Sequence, residues 1–586
     1  VAGNTVLGES ALDAAVTGQG NTAIGNNSLS ALTSGASNTG VGRFSLSALT
    51  TGSNNVAVGL SALGVSTTGS ANTAVGALAL DALTTADNCT GIGKDSLTAN
   101  TTGANNTAVG AFSLFVNTTG TQNVAVGVSA LDANTTASSN TAVGHEALGA
   151  NTTGTQNVAV GANALDANTT ANDNTGVGFN ALGANTTGTE NAAFGSRSLQ
   201  ANSTGDNNTA LGRRALEANT TADNNTAIGH SVLAANTTGI RNTAVGSLSL
   251  DANTTGSDNT AVGRTSLSEN TTGDFNVAVG QGSLANNTTA DNNVAIGTNS
   301  LNNNSTGTSN TALGTDALRA NTTGIGNTAI GANALDANTT ANSNVAIGSD
   351  ALGANTTGAD SVAIGVGALD SNTTASNNVA VGRNALTAAT TGHSNTAIGF
   401  QAGSDTTTGT GNVHIGFEAG RSQGNGDNSC FIARDNVGAG NAAVWLFGGG
   451  IGQCVQGNNS ANWTTVSDQR LKKDIVANTV GLSIIDNVTV KNFKYKQYSD
   501  GSPVTSDDTV DMSEFPKADN VGQVLIGQGK TETQIGIIAQ ELESVAPNCV
   551  TTNDRGVKTV DTDELFWHML NAIKELSAKV TALEAG

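Results

Sequence analysis

The 586-residue sequence has few of the residues that fill a large globular core. Aromatic residues make up 3% of the chain and charged residues 12%, whereas 74 residues are glycine and 37% of residues are apolar. Aromatic and large branched side chains supply most of the buried volume of a globular domain. A disordered chain would carry more charge. The composition therefore favours a repeat architecture with a thin, continuous core.

Cations are also scarce, since 23 lysines and arginines stand against 45 acidic residues, a net charge of −22. Nucleic acids and anionic membranes attract proteins through Lys and Arg, so neither is an expected partner. There is no apolar run of about 18 residues, so no membrane insertion is predicted. No signal peptide opens the chain. Because the sequence starts inside a repeat, we expect the natural N-terminus, with any attachment domain, to be missing.

The four cysteines, Cys89, Cys430, Cys454 and Cys549, lack the spacing of a zinc site. A Cys430–Cys454 disulfide and two free thiols both remain open. A calcium-binding turn of the GGxGxD type is absent, so no metal and no cofactor are expected. The repeats also contain no recurrent pair of carboxylates, which a glycosidase would need.

The abundant feature is a 17-residue repeat. A glycine recurs at this interval from Gly8 to Gly416, which gives 25 units without insertion or deletion. We number the positions of each unit from 1 to 17 on residues 106–122, "NTAVGAFSLFVNTTGTQ". Position 1 is nearly always Asn, position 2 is Thr or Val, position 4 is apolar and position 5 is Gly. Position 9 is Leu from Leu12 to Leu386, and positions 12–15 are usually Asn-Thr-Thr-Gly or Asn-Thr-Thr-Ala.

This pattern predicts a mostly β fold, a parallel β-solenoid or β-roll with one unit per coil. Positions 2 and 4 alternate with small residues, as in a strand, and the glycine at position 5 ends that strand. A second short strand is predicted to carry the Leu at position 9. Asn tolerates left-handed backbone and closes its own turn, so Asn-Thr-Thr-Gly is predicted to form the turn. We expect Val, Ile and Leu inside and ladders of Asn and Thr outside.

At about 4.8 Å per coil, the coils would extend over roughly 120 Å. The pattern does not separate side-by-side rolls from an interwoven triple helix. The units resemble the "NTAxGxxALxxNTTG" repeats of bacterial proteins with a tail-fibre-type C-terminus and the β-roll heads of trimeric autotransporter adhesins. Three roles of the repeat surface remain open: a passive spacer, glycan binding by the Asn and Thr ladders, and N-glycosylation of the "NTT" sequons.

The repeat decays after residue 400, where Gly403 and Gly420 stand in place of Leu. We divide the chain into a repeat shaft (1–416), a shaft terminus or tip (417–466) and a C-terminal domain (467–586). The tip is richer in aromatic residues, which either stack on receptor sugars or plug the end of the solenoid core. The receptor-binding candidates are Phe431, Trp445, Phe447 and Trp463.

The composition changes from residue 467, where lysines and all three prolines appear. Residues 481–498 are predicted to be rich in strands, and residues 533–547 to form a strand followed by a helix that ends before Pro547. A helix is predicted from "VDTDELFWHMLNAIKELSAKVTALEA". Its apolar residues recur at steps of four and three, which indicates a coiled-coil seam; they are Met569, Ile573, Leu576, Val580 and Leu583.

Three ordered motifs in this segment, "SDQRLKKDI", "IGIIAQELESVAP" and "VDTDELFWHMLNAIKEL", closely resemble the intramolecular chaperone domain of endosialidases and of phage tail spikes and fibres. The resemblance covers about 120 residues. It implies a homotrimer whose fibre is folded on the chaperone template. It also implies that the domain then cuts itself off on the N-terminal side of Ser467, at the Val466–Ser467 bond.

Ser467 and Lys472 match the nucleophile and the dyad lysine of that family. A serine hydroxyl needs a base, and neighbouring cations such as Arg470 and Lys473 can lower a lysine pKa. Asp468 and Arg470 also match the motif, and we assign them positioning and interchain salt-bridge roles. Judged from spacing alone, the cluster favours an exposed turn over a catalytic site, because clusters of Ser, Asp, Arg and Lys are common in such turns. No external substrate is expected.

The sequence thus predicts the distal shaft of a trimeric fibre in a phage tail, with a C-terminal folding chaperone. Its expected partners are two further copies of the chain, a glycan or protein receptor on the host surface, and a virion or tail protein held through the missing N-terminus. The alternative is an extracellular adhesin or filament on a cell surface that keeps the chaperone as a permanent trimer cap.

Overall fold

A computed structural model describes residues 3–421, 425–433, 444–449, 453–455, 482–493, 498–499, 502–503, 534–552, 558–560 and 562–585. The chain forms two compact units, Val1–Ala461 and Asn462–Gly586. We describe each unit by itself.

The first unit is a parallel β-solenoid, as the repeat predicts. Each coil contributes one three-residue strand, and each strand pairs in parallel and in register with the strand 17 residues later, as Thr107 pairs with Val124. Each chain therefore stacks its own coils, as expected for a roll and not for an interwoven triple helix. Strands β1–β25 are Thr5–Leu7, Thr22–Ile24, Thr39–Val41, Val56–Val58, Thr73–Val75, Thr90–Ile92, Thr107–Val109, Val124–Val126, Thr141–Val143, Val158–Val160, Thr175–Val177, Ala192–Phe194, Thr209–Leu211, Thr226–Ile228, Thr243–Val245, Thr260–Val262, Val277–Val279, Val294–Ile296, Thr311–Leu313, Thr328–Ile330, Val345–Ile347, Val362–Ile364, Val379–Val381, Thr396–Ile398 and Val413–Ile415.

The predicted orientation of the strands is wrong. The alanine at position 3, such as Ala108, is fully buried, whereas the apolar residue at position 4, such as Val109, faces outwards. The leucine at position 9, such as Leu114, is buried as predicted. The physical reason is the narrow coil, whose interior accepts a methyl group from one wall and a leucine from the other. Because side chains alternate along a strand, burying Ala turns the β-branched residues out.

The predicted second strand is also wrong, because the leucine at position 9 lies in a turn. Its backbone is left-handed in every coil from Leu12 to Leu386; φ is 47° at Leu114. Positions 7 and 17 are left-handed as well, as at Phe112 and Gln122. This conformation is most costly for β-branched side chains. We infer that position 9 is Leu and not Val or Ile for this reason.

The glycine at position 5 ends the strand, as predicted. Gly110 has a φ of 137°, which other residues rarely adopt. A Cβ atom at Gly110 would lie 2.3 Å from the carbonyl oxygen of Gly127 in the next coil. Both the conformation and the close stacking of the coils therefore require glycine.

Asparagines at positions 1 and 12 line the interior, which corrects the prediction that they lie outside. At position 1, the Asn106 Nδ2 donates to the Gly120 carbonyl at 2.7 Å, and its Oδ1 accepts from the Asn123 backbone at 2.9 Å. At position 12, the Asn117 Nδ2 donates to Asn100 Oδ1 at 2.8 Å and to Gly120 at 3.1 Å. The position-12 Asn thus closes its own turn, as predicted, although its backbone is not left-handed.

The solenoid register continues past the last glycine-marked coil. Strand β26, Cys430–Ala433, pairs in parallel with β25, whereas β27, Val444–Gly449, and β28, Gln453–Val455, are antiparallel. Cys430 faces Gly448, and Gly448 faces Cys454 on its other side. The two cysteines are thus about 10 Å apart, two strand spacings, which is too far for a disulfide. Cys430 is a free thiol.

The second unit combines short strands with helices around a small core. Its elements are α1 (Leu482–Ile485), β29 (Val490–Phe493), β30 (Tyr498–Ser499), β31 (Ser502–Pro503), β32 (Gln534–Ile537), α2 (Ala539–Val545), a 3-10 helix (Pro547–Cys549), β33 (Val550–Thr552), β34 (Lys558–Val560) and α3 (Thr562–Glu584). The pairs β29–β32, β30–β31 and β33–β34 are antiparallel. The strand and helix predicted before Pro547 and the long final helix are confirmed. The segment predicted to be rich in strands instead begins with α1.

The asparagines at position 12 hydrogen-bond to one another from coil to coil and form a ladder. We predict that replacing an asparagine within this ladder lowers the stability of the fold more than replacing the first one. Replacement Asn202→Leu leaves the Oδ1 of Asn185 buried without its donor, which costs about 1–3 kcal/mol. Leucine itself fits this position, because Leu83 occupies it natively and is fully buried. We expect a clear fall in the denaturant midpoint, measured by circular dichroism.

The matched control is Asn100→Leu at the start of the ladder. Asn100 Nδ2 donates to the Gly103 carbonyl, which also accepts from Asn106, so no acceptor loses its last donor. This variant is expected to be the more stable of the two. Equal midpoints would show that the ladder does not act as a chain of coupled hydrogen bonds.

Candidate functional site

An apolar row runs along the outer face of the solenoid strands. It consists of the position-4 side chains from Leu7 to Ile415, and none of them is buried. Among the most exposed are Phe194 at 40%, Leu211 at 48% and Leu313 at 44%. The outward row extends to Ile432 on β26. Monomeric proteins rarely expose an apolar surface of this length, and such surfaces mark protein contacts.

The asparagines of the "NTT" sequons are not accessible. Asn185, for example, is fully buried, and its Nδ2 donates to Asn168 Oδ1 and to the Gly188 carbonyl at 3.1 and 2.9 Å. An N-glycan needs that nitrogen, so the folded solenoid offers no acceptor at these positions. A glycan-binding asparagine ladder is excluded for the same reason. The threonines at position 14, such as Thr204, remain exposed.

The interior is rearranged in the last coils. Gly403 and Gly420 occupy position 9 in two successive coils, and His414 replaces the inward alanine at position 3. A Cβ on Gly403 would lie 2.3 Å from His414 Nδ1, and one on Gly420 would lie 2.6 Å from His414 Cδ2. The imidazole therefore takes the space that two leucines would fill, so the core volume moves from one wall of the coil to the other.

His414 is chemically unusual because it is only 1% exposed and neither ring nitrogen has a hydrogen-bond partner. Burial lowers the pKa of His414 from 6.5 to about 4, since a charge there would have no water around it. Its neighbours across the coil are Gly403, Gly420, Leu386 and Phe431, none of which is titratable. At neutral pH the ring is an uncharged core residue.

Phe431 is the next inward residue after His414. Its ring packs edge-on against the imidazole at 5.6 Å between centroids and is 3% exposed. Phe431 therefore plugs the core, the second of the two roles considered for the aromatic residues of the tip, and does not present its face to a sugar. Trp445 and Phe447 lie on β27, of which only the backbone is described, and Trp463 lies outside the described residues.

The core of the second unit joins its helices. Leu542 of α2, Cys549 of the 3-10 helix and Leu565 of α3 are buried together, with Ile485 packed against them. The Leu482 backbone donates to a Glu575 carboxylate oxygen at 3.3 Å, which ties α1 to α3. Lys558 of β34 pairs with Glu543 of α2.

Helix α3 has two different faces. Leu565, His568 and Ala572 are buried on its inner face. The predicted seam lies on the other face and is exposed, with Met569 at 46% and Leu583 at 81%, and Phe566 extends it by one step. This outer face has the spacing of a coiled coil and no partner within the described part of the chain.

The predicted catalytic residues and the cleavage bond lie outside the described residues; they are Val466, Ser467, Asp468, Arg470 and Lys472. Within the described ranges, no group of three or more His, Cys, Asp or Glu residues is arranged to hold a metal ion. None of the helices found there combines the length and hydrophobicity of a bilayer crossing.

The fold and these surfaces define a fibre- or spike-type repeat protein with a separate C-terminal unit. A family model described as the chaperone of endosialidase matches residues 467–551. The long parallel solenoid together with this match fits a tail fibre that ends in a chaperone domain. A comparison with curated proteins and one with solved structures find no match.

Sequence reasoning missed His414 and the outward apolar row. The loss of Leu at positions 403 and 420 was visible, and a bulky residue at position 3 of the same coils is the compensating signal. The apolar row was recognised as a pattern but assigned to the interior, because alternation alone does not say which face of a strand is buried.

His414 predicts that acid weakens the end of the solenoid. Its folded pKa, about 4, lies below its ordinary 6.5, so the unfolded state binds more protons between these values. Stability is therefore full above pH 6.5 and falls as the pH drops towards 4, by about 3 kcal/mol in total. We expect this fall in denaturation curves recorded across that range.

The control is His414→Phe, which keeps a ring but cannot titrate. Other groups titrate equally in both proteins, so the difference between the two pH slopes isolates His414. The wild type is expected to lose more stability on acidification than the variant. Identical slopes would contradict a buried, neutral His414.

Proposed function

We propose that this protein is a homotrimeric attachment fibre of the phage-tail type, folded and trimerised by its C-terminal domain. The solenoid holds a receptor-binding tip away from the particle, and the tip contacts a glycan or protein on the host surface. An adhesin or filament on a cell surface with a permanent chaperone cap is the alternative. The family match at residues 467–551 supports the chaperone role.

The observation that carries this proposal is the outward apolar row. Every coil from β1 to β25 contributes one apolar side chain to it, and at about 4.8 Å per strand it is roughly 120 Å long. A single chain leaves this surface in water. Three parallel solenoids that turn their rows towards a common axis would bury it along its whole length, as oligomeric interfaces do.

The outer face of α3, in the C-terminal unit, also supports a trimer. Phe566, Met569, Ile573, Leu576, Val580 and Leu583 recur at three- and four-residue steps and are exposed. Three such helices would form a short parallel coiled coil. Because identical coils fit one another in any register, a C-terminal seed would align the chains before the solenoids associate.

We further propose that the chaperone releases itself through Ser467. Lys472, uncharged, takes the hydroxyl proton as Ser467 Oγ attacks the Val466 carbonyl. The C–N bond breaks, the freed amine takes that proton, and an ester joins the two segments. Water then hydrolyses the ester and leaves a carboxylate on Val466. Asp468 and Arg470 would position this segment. The family match begins at Ser467, which agrees with this assignment.

The trimer predicts a strong response to charges in the row. Replacement of Ile296, Leu313 and Ile330 by Asp places carboxylates on three successive coils, at side chains that face outwards in the single chain. An unpaired charge buried in an interface costs several kcal/mol. We expect loss of the trimer, measured by light scattering and native electrophoresis.

The matched control places Asp at position 14 of the same coils, in Thr306, Thr323 and Thr340, which are exposed. These positions lie away from the row, so the trimer should persist. If both triple variants remain trimeric, the row is not the interface and the proposal loses its main support.

Self-release is tested by intact mass spectrometry of the wild type beside Ser467→Ala. The expected result is a wild-type fragment that ends at Val466 and a variant that stays whole, because the alanine has no nucleophile. A variant that is cut at the same bond would rule out Ser467. If both proteins stay whole and trimeric, the domain is a permanent cap, as in the adhesin alternative.

A further inference from the structure

The apolar row has a basic edge. Position 6 follows the strand directly after the glycine and carries most of the uncompensated cations of the solenoid, whereas the only acidic residue there is Glu9. Arg213 and Arg264 are exposed and form no ion pair within the described part of the chain. The basic edge comprises Arg43, Lys94, Arg213, Arg264 and Arg383, with His145 and His230 at the same position.

The opposite edge of the row is acidic. Positions 16 and 17 of each coil precede the next strand, and the single arginine among them, Arg241, is already paired with Asp258 at 2.6 Å. At position 16, Asp206 Oδ1 accepts from the Thr189 backbone at 2.6 Å. The acidic edge comprises Asp87, Asp173, Glu190, Asp206, Asp223, Asp258, Asp274, Asp291, Asp360 and Asp427.

Opposite charges flank the same strands. Lys94 and Asp87 stand at the two ends of β6, Arg213 and Asp206 at the two ends of β13, and Arg264 and Asp258 at the two ends of β16. His230 and Asp223 flank β14 in the same way. No strand from β1 to β25 has like charges at both ends. The strand separates each pair within one chain.

Symmetry brings the two edges together. When parallel copies turn the same face towards a rotation axis, the basic edge of each copy meets the acidic edge of its neighbour, as in any head-to-tail ring. Under a pure rotation the meeting edges belong to the same coil level. Arg213 and Asp206, which are separated within a chain, then become a pair between chains, whereas Lys94 and Asp258 already have partners in their own chain, Asp95 and Arg241.

We propose that the basic edge of each solenoid lies against the acidic edge of the next copy at the same coil level, with Arg213 facing Asp206 of a second copy of this chain. This inference rests on the proposed trimer and adds its register. The apolar row is nearly the same in every coil, so it cannot distinguish an aligned assembly from one slipped by a coil. The alignment follows instead from the rotation axis, because a closed ring of parallel copies allows no slip, and the opposite charges determine which edges meet.

The pairing is tested by cross-linking the full-length protein with the double substitution Asp206→Cys and Arg213→Cys, treated with a short bis-maleimide. Alanine occupies both positions natively, at Ala104 and Ala77, so the fold tolerates small residues there. The expected result is a covalent trimer in SDS. Each single variant controls for the native cysteines and should give none.

A displaced pair, Asp206→Cys with Arg264→Cys, is the register control. The two sites flank β13 and β16, three coils apart, or about 14 Å along the stack, so it should not cross-link. If light scattering shows a trimer but the aligned pair does not cross-link, or the displaced pair does so equally, the register is wrong while the proposed fibre stands. A monomer in solution would overturn both.

Discussion

The narrow interior of the coil is the constraint on which the rest of the structure depends. It accepts Ala from the strand and Leu from the turn, and the remaining space is taken by two columns of asparagine. Those amides bond from coil to coil, so each coil is completed only by its neighbour. A thin core of this kind gains stability from stacking and not from the volume of any single coil. Because the inward position of each strand is filled by a small residue, the β-branched residues of the strand face outwards.

That orientation connects the fold with the proposed assembly. A strand that buries its alanine exposes its valine or isoleucine, so a long solenoid carries a long apolar surface as an unavoidable consequence. The same surface, repeated without variation, offers no information about alignment. In the proposed assembly, helix α3 seeds the alignment of the chains, and the charged edges determine which sides of neighbouring chains meet.

The end of the solenoid follows the same rule of fixed internal volume. Where Gly403 and Gly420 remove leucine, His414 and Phe431 supply the missing bulk from the opposite wall. The exchange closes the stack with aromatic rings, and it leaves a titratable group in the core without a partner. Sequence comparison of the coils could have detected the exchange, since the losses and the gains lie within neighbouring units.

The sequence by itself determined the period, the number of coils, the parallel stacking, the glycine that ends each strand and the helices α2 and α3, because these depend on local spacing and backbone preference. Only the tertiary structure decided which face of the strand is buried, that Leu114 lies in a left-handed turn, and that Asn106 and Asn117 lie inside. Those outcomes depend on the width of the closed coil and on hydrogen bonds between residues 17 positions apart, such as Asn117 and Asn100. The pattern of residues along the sequence does not specify how wide the closed coil is.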